Sequence, residues 1–389
     1  GAGQTFTIEL APGQDYSNYR LAFTEPWLFD KPISFGWDLF LSKFSVYDYD
    51  SNRRGINLSL GRRWTLPGKK LDSVVGLTGT TRIEGQDTSN IDREAASTAF
   101  LAEDDLSLIA ERLTLRLDRI DNSVEPTTDW FGELSTELGF AGDVRLWKNA
   151  LEAKRYWVVH RDDQEREHVF SLGASIAYAQ ALGGSEEAVP SLFDEDFVPI
   201  YERYRAGGSG TLRGFRYGGA GPHGEGDPRF EPRGGEVGKP RRTDLRLGET
   251  ARSILENDGE PLGGNVFYRA SGEYQMPLYE DLLRMVFFVD AGAVRDDFDS
   301  THGLDEGDLD ALRSRLAAGG KRDRRLASQL VYDDGPGFLS DVRVAVGFGF
   351  RIKLPVFGQQ PIALDFGFPI RDEDGDDHQV LSFTIARDF

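Results

Sequence analysis

Apolar and polar positions alternate with a period of two through this chain almost from end to end. Val342, Val344, Val346, Phe348, Phe350 and Ile352 fall on one side of an extended segment. Arg343, Ala345, Gly347, Gly349, Arg351 and Lys353 fall on the other. Ile362, Leu364, Phe366 and Phe368 oppose Ala363, Asp365 and Gly367, and Leu381, Phe383, Ile385 and Phe389 oppose Ser382, Thr384, Ala386 and Asp388. Near the start, Tyr19, Leu21 and Phe23 alternate with Asn18, Arg20, Ala22 and Thr24, and Ile56, Leu58 and Leu60 with Asn57, Ser59 and Gly61. Such faces suit a sheet that meets a different solvent on each side.

The pattern predicts sixteen strands, over 3–11, 15–24, 33–47, 53–64, 72–84, 104–118, 130–141, 150–161, 168–181, 198–206, 209–217, 264–277, 284–294, 341–353, 361–369 and 379–389. A soluble β-sandwich also alternates. Its strands average about five or six residues, however, and many of these are far longer. The polar face also mixes small and charged residues, as the wall of a polar lumen does. The expected fold is therefore all-β, a 16-stranded antiparallel transmembrane barrel that takes residues 1–389 as one domain. An even count closes such a barrel and leaves both termini on one side.

Connections of two kinds alternate. Short ones carry turn chemistry: Glu25-Pro26 through Lys31-Pro32, Leu66-Pro67-Gly68, and Leu354-Pro355 through Gln360-Pro361. Long ones fall at 85–103, 182–197, 218–263 and 295–340. Short turns at one end and long loops at the other are the outer-membrane pattern. The last long loop holds a helix-like piece, Leu309 to Leu316, and a basic run, Lys321 to Arg325.

Composition narrows the function. Lys and Arg number 45 against 65 Asp and Glu, a net charge of −20. That balance opposes nucleic-acid binding, which needs clustered cations. With no cysteine, a disulfide scaffold, a thiolate metal site and a cysteine nucleophile are excluded. No apolar run approaches the ~20 residues of a transmembrane helix, but a barrel needs none. The start, Gly-Ala-Gly without Met or signal peptide, is that expected of a processed or truncated piece of something longer.

Enzyme signatures are weak, and no catalytic residue, metal or cofactor is expected. Gly219 to Gly224 fits G-x-G-x-x-G but contains Pro222 and opens no helix. His160, His168, His223, His302 and His378 lack metal or triad spacing. Asp372 to Asp377 resembles a calcium loop only in composition and reads better as a solvated hairpin tip. The informative segment is Gly207-Gly208-Ser209-Gly210-Thr211-Leu212-Arg213-Gly214-Phe215. Downstream, Glu273 shares a strand face with Arg269, Ser271 and Gln275, and Asp290 shares one with Arg284 and Gly292, but also with Val286 and Phe288. Two carboxylates on adjacent strands could thus meet the Arg213 guanidinium inside the barrel and pin a long loop into the lumen. Equally, Arg213 could be a solvated loop residue and the acids could line water.

Several motifs in order resemble the outer-membrane barrel-assembly insertase family, the BamA proteins. The segment from Tyr204 to Gly221 resembles its sixth-loop V-R-G-F/Y motif, with Leu212 in place of Val. Thr24-Glu25-Pro26-Trp27-Leu28-Phe29 resembles its E-P-x-L-F turn. Arg119-Ile120-Asp121-Asn122 with Pro126-Thr127 resembles its R-D-N…P-T-x-G turn, without the final Gly. Phe288-Val289-Asp290-Ala291-Gly292 resembles its F-x-D-x-G strand, and the chain ends on an aromatic, Phe389. The resemblance implies a 16-stranded barrel with a long loop folded into the lumen. There Arg213, Gly214 and Phe215 would be held by Asp290 and Glu273. Upstream periplasmic POTRA domains, absent from this chain, are also implied.

The function so implied is folding and insertion of other β-barrels into the outer membrane of a Gram-negative bacterium. The seam would be a lateral gate of Thr5, Phe6, Thr7, Ile8 and Glu9 against Phe383, Thr384, Ile385 and Phe389. Its partners would be unfolded barrel clients, outer-membrane lipids and lipopolysaccharide, and accessory lipoproteins recruited through POTRA domains; no nucleic acid is expected. A polypeptide exporter of the two-partner secretion type, a TamA-like assembly factor and a passive channel are the alternatives.

Overall fold

A computed structural model describes residues 3–13, 16–46, 49–68, 71–89, 106–122, 125–182, 198–199, 201–222, 263–280, 282–295, 341–353, 361–373 and 375–385. Its strands are β1 Thr5–Ala11, β2 Tyr16–Glu25, β3 Ile33–Val46, β4 Tyr49–Leu66, β5 Ser73–Ser89, β6 Leu106–Asp118, β7 Asp129–Gly142 and β8 Leu146–Arg161. They continue as β9 Glu167–Ala181, β10 Gly214–Phe215, β11 Val266–Tyr279, β12 Leu283–Arg295, β13 Arg343–Ile352, β14 Ile362–Arg371, β15 His378–Gln379 and β16 Leu381–Ile385. Fourteen of them form one antiparallel sheet in chain order, with β1 and β16 at its two ends, while β10 and β15 pair with each other.

The all-β barrel architecture and the total of sixteen strands agree with the periodicity, but the sixteen are not the same sixteen. The segments expected as strands at 198–206 and 209–217 do not enter the wall. Among their described residues they contribute two isolated bridges, Tyr204 to Gly264 and Ala206 to Ala220, and the two-residue β10. The reason is composition. Gly207, Gly208 and Gly214 take positive φ values of 112°, 83° and 96°, which turn the chain out of the extended conformation a long wall strand needs. The segment expected at 379–389 divides into β15 and β16, and Phe389 lies outside the described residues. Conversely, β5 runs on to Ser89, into a stretch read as loop. The helix-like piece and the basic run also lie outside the described residues.

The two faces of the sheet invert the arrangement of a soluble protein. Phe6, Ile8, Leu10, Leu60, Leu113, Leu134, Leu151, Leu172, Phe287 and Phe383 are large, apolar and exposed. Arg82, Glu84, Glu137, Glu273, Asp290, Arg351 and Asp365 are charged and buried. Burying charge while exposing leucine is unfavourable in water and favourable when lipid surrounds the sheet. At the short-turn end the chain spends its polar side chains on its own backbone. Glu25 accepts from the Trp27 N–H at 2.9 Å, leaving Trp27 and Phe29 exposed. Asp121 accepts from the N–H groups of Thr127 (2.9 Å) and Thr128 (3.1 Å) and from the Thr127 hydroxyl (2.7 Å).

Residues 201–222 lie against the inner wall. Ala206, Leu212, Phe215 and Ala220 pack with Ala177, Phe267, Val294 and Ala345 in one buried apolar cluster. Tyr201 packs against a second, formed by Leu106, Leu108, Ala110, Val144 and Leu146. The loop therefore reaches two different stretches of wall.

Candidate functional site

The site is built by the turn that β10 ends. Arg213 is buried and reaches the wall between β11 and β12. Its Nε donates to Asp290 Oδ2 at 2.7 Å and its Nη2 to Asp290 Oδ1 at 2.7 Å, a bidentate fork. Nη1 donates to Glu273 Oε1 at 2.6 Å, and Nη2 also reaches Ser271 Oγ at 3.3 Å. The backbone N–H of Arg213 donates to Asp290 Oδ2 at 3.2 Å. Ser271 stands opposite Asp290 in the ladder and donates to its Oδ1 at 2.6 Å. The second Glu273 oxygen lies 3.8 Å from Lys154 Nζ. One wall thus offers two acids to one loop cation. Bonds of this kind are stronger than neutral ones, and the planar fork fixes orientation as well as position.

Arg213, Glu273 and Asp290 therefore come together as the strand parities suggested, and the solvated-loop alternative for Arg213 does not hold. The mixed face of Asp290, ambiguous in sequence, has a geometric explanation. Phe288 points inward with Asp290 and lies under the guanidinium, 3.5 Å from Cζ to the ring centroid. An apolar neighbour on a polar face is here a stacking platform for the cation.

Gly214 and Phe215 complete the turn. A β-carbon at Gly214 would stand 3.2 Å from Ala345 Cβ, Gly367 C and Pro369 Cδ, and its φ of 96° disfavours any side chain. Gly367 is the matching gap in the wall, since a β-carbon there would collide with the Gly214 backbone. Phe215 is buried and meets the His378 ring edge-on at 5.7 Å. Gly214 pairs with Gln379 and Phe215 with His378. The Arg216 N–H donates to the Asp377 carbonyl at 2.8 Å, and the Asp377 N–H to the Gly219 carbonyl at 2.8 Å. The turn is thereby stitched to the chain that leads directly into β16, a connection that sequence reading missed. His378, dismissed for want of metal spacing, belongs to this ribbon and contacts Asp372 at 2.9 Å. The Asp372 to Asp377 tip takes part through its backbone and through Asp376, which accepts from Arg343 Nε at 3.0 Å.

A second anchor, also unforeseen, holds the loop eleven positions earlier. Glu202 is buried among cations of β5 and β8. It accepts from Arg82 Nη2 at 3.2 Å, and from Lys148 Nζ at 3.0 Å through its carboxylate and 2.8 Å through its carbonyl. Arg82 also bonds Glu84 at 2.9 Å and Glu137, and Arg112 donates to Glu137 at 2.6 Å. Polarity is reversed relative to the first anchor: the loop brings the acid and the wall the bases. The available signal was Arg82 and Glu84 on one face of an otherwise small-residue strand, which marks an ion network but not its third member. A cavity of about 290 Å³ borders the Arg213 anchor, and one of about 620 Å³ lies against the β2–β6 wall.

The expected gate residues sit at the two ends of the sheet. Thr5, Phe6, Thr7, Ile8 and Glu9 lie in β1, where Thr5 through Leu10 are exposed on both faces. Phe383, Thr384 and Ile385 lie in β16, paired to Leu364, Ala363 and Ile362 of β14. Among the described residues no register joins β1 to β16.

A family model, the Omp85 superfamily domain, matches residues 1–389. Among solved structures, BamA from Haemophilus ducreyi lacking POTRA domains 1–3 aligns with a TM-score of 0.61 and 18% identity, over 98% of this chain and 64% of that one. CdiB from Acinetobacter baumannii aligns with a TM-score of 0.48 and 13% identity, over 95% and 50%. CdiB from Escherichia coli gives 0.44 and 12%, over 95% and 52%. The chain thus spans less than two thirds of the length of each of these proteins.

Proposed function

The chain belongs to the Omp85 superfamily and is an outer-membrane protein of a Gram-negative bacterium, and from that premise we propose that it folds and inserts other β-barrel proteins through the seam between β1 and β16. The observation that carries this reading is the doubly anchored loop. A lumen crossed by a segment held at Glu202 and again at Arg213 is poorly suited to free passage along the barrel axis. The lateral route remains.

In that route, the seam parts and a client strand adds to the exposed edge by β-augmentation. Unpaired N–H and C=O groups at an edge are costly in hydrocarbon, so the edge accepts any strand that satisfies them. Exposure of β1 on both faces supports this role, since a strand with few side-chain contacts costs little to detach. The ribbon from Phe215 to His378 would tell the seam strand whether the loop is seated. The work is mechanical, driven by the client's own folding, and includes no covalent step. Barrel clients, lipids with lipopolysaccharide, and accessory lipoproteins docked through POTRA domains are the partners this function calls for.

The test is reconstitution in proteoliposomes with an unfolded small outer-membrane barrel as client. Client folding is followed by gel shift and protease protection, with conductance recorded in parallel. Accelerated client folding with small, flickering conductance is expected. No acceleration, with a large steady conductance or with transport of an extended polypeptide into the vesicle, would refute the insertase and favour a channel or an exporter.

A further inference from the structure

The lipid-facing surface carries two arginines in an unusual setting. On β4 the outward positions nearest the short-turn end read Arg62, Trp64 and Leu66, and on β8 they read Arg155, Trp157 and Val159. The order is the same twice: a cation, then an indole, then an aliphatic side chain, each two residues further along the strand. Arg62 Cζ lies 5.3 Å from the Trp64 ring centroid and Arg155 Cζ 5.1 Å from that of Trp157. Arg155 stands between Trp130 and Leu172 of the adjoining strands, and Arg62 between Ile33 and Leu77.

Among the described residues, neither guanidinium bonds to a carboxylate. That is notable in a chain of net charge −20, where the lumenal Arg53, Arg82, Arg213 and Arg351 each pair with an acid. An outward arginine is costly at the middle of the bilayer and tolerated near its interface. Each side chain can carry its head towards the short-turn rim along its own tryptophan, and the indole beside it attracts the guanidinium through its ring face. A fork of donors with no acid partner is complementary to a phosphate diester. The flanking indoles and aliphatic groups suit the glycerol and upper acyl region beside it.

We propose that Arg62–Trp64 and Arg155–Trp157 are two binding sites for anionic glycerophospholipid headgroups in the leaflet at the short-turn end. They hold the barrel at a fixed depth and enrich acidic lipid around it. This does not depend on the insertase reading, since an exporter or a channel with the same wall would carry the same sites.

The experiment is native mass spectrometry of the delipidated protein titrated with phosphatidylglycerol or with phosphatidylethanolamine of the same chains. The wild type is expected to retain two tightly held phosphatidylglycerol molecules, each preferred about fivefold over phosphatidylethanolamine, the preference expected of one cation near an acidic leaflet. R62Q and R155Q should each lose one, and the double variant both. R63Q is the control: it removes a charge one residue away on the lumenal face and should lose none. Heat-modifiability on gels, unchanged in all variants, establishes that the barrels are folded. Equal retention of the two lipids by wild type, or unchanged phosphatidylglycerol retention by R62Q/R155Q, would overturn the proposal. So would an equal loss in R63Q, which would reduce the effect to net charge.

Discussion

Replacing Arg213 with alanine removes the cation that bonds directly to the buried carboxylates of Glu273 and Asp290. In the folded loop Asp290 accepts three bonds from Arg213 and Glu273 accepts one. Breaking a buried ion pair by deleting one partner costs ~3–5 kcal/mol, because the remaining charge is left uncompensated. Two features pull towards the lower figure: Lys154 stands 3.8 Å from Glu273 and Ser271 still donates to Asp290. A loss of about 3 kcal/mol in loop docking, at ~1.4 kcal/mol per factor of ten, raises the undocked population roughly a hundredfold. Trypsin reads that population at Arg203 and Arg205, both partly buried just upstream of the anchor. Cleavage follows the equilibrium of the open form when opening and closing are fast. Arg213→Ala should be cut on the order of a hundred times faster, with the barrel itself still heat-modifiable. Arg213→Lys should fall between, keeping charge without the fork. Combining Arg213→Met with Glu273→Gln and Asp290→Asn should recover much of the loss, since neither carboxylate is then left charged without its arginine. Wild-type protection in Arg213→Ala, or no recovery in the triple variant, would refute the anchoring argument.

The second anchor should behave independently. Arg82→Met leaves Glu84, Glu137 and Glu202 only their other partners, Arg53, Arg112 and Lys148, and should cost ~3 kcal/mol, seen as a lowered thermal transition on gels, while Glu202→Gln releases the loop with a smaller loss. Gly214→Ala combines positive φ with a crowded site and should weaken loop docking by ~1–3 kcal/mol in the same trypsin assay. A disulfide between cysteines placed in Thr5–Glu9 and in Ser382–Ile385, in a chain with no native cysteine, should stop client insertion under oxidation and restore it under reduction. Unimpaired insertion by the locked protein would end the lateral-gate reading. At the 119–128 turn, burial alone would raise the Asp121 carboxyl, but the hydroxyl and N–H donors of Thr127 and Thr128 outweigh it and hold it below its ordinary value. Its contribution is therefore present above the unfolded carboxylate pKa near 3.9 and is lost as pH falls through the lower folded value. Protease nicking of this turn should rise only in that acid range, and Asp121→Asn should be nicked readily at neutral pH.

How much was written in the chain differs between wall and loop. Period-2 alternation fixes strand existence and facing by local geometry, since successive side chains point to opposite sides whatever the rest of the fold does. Hence β13 and β14 display their valines and phenylalanines outward and Asp365 inward as the pattern required. Parity likewise put Glu273 beside Ser271 and Arg269. The loop obeys no such period. The segment from Val198 to Ala206 looks like a strand because Val198, Ile200, Tyr204 and Ala206 share one parity. Whether such residues pair in the wall or pack on it depends on partners far away in sequence: Arg82 and Lys148 for Glu202, Asp290 and Phe288 for Arg213, Gly367 and His378 for Gly214 and Phe215 just after it. A glycine at 367 reads as flexibility until Gly214 is seen to occupy the space it leaves. The sequence by itself determined a lipid-facing wall, a lumenal face and the candidates for one ion pair. Only the tertiary structure decided that the loop is held twice, with opposite polarity, and that its tip is joined to the last strand, because burial and charge pairing between distant segments exist only once the sheet has brought them together.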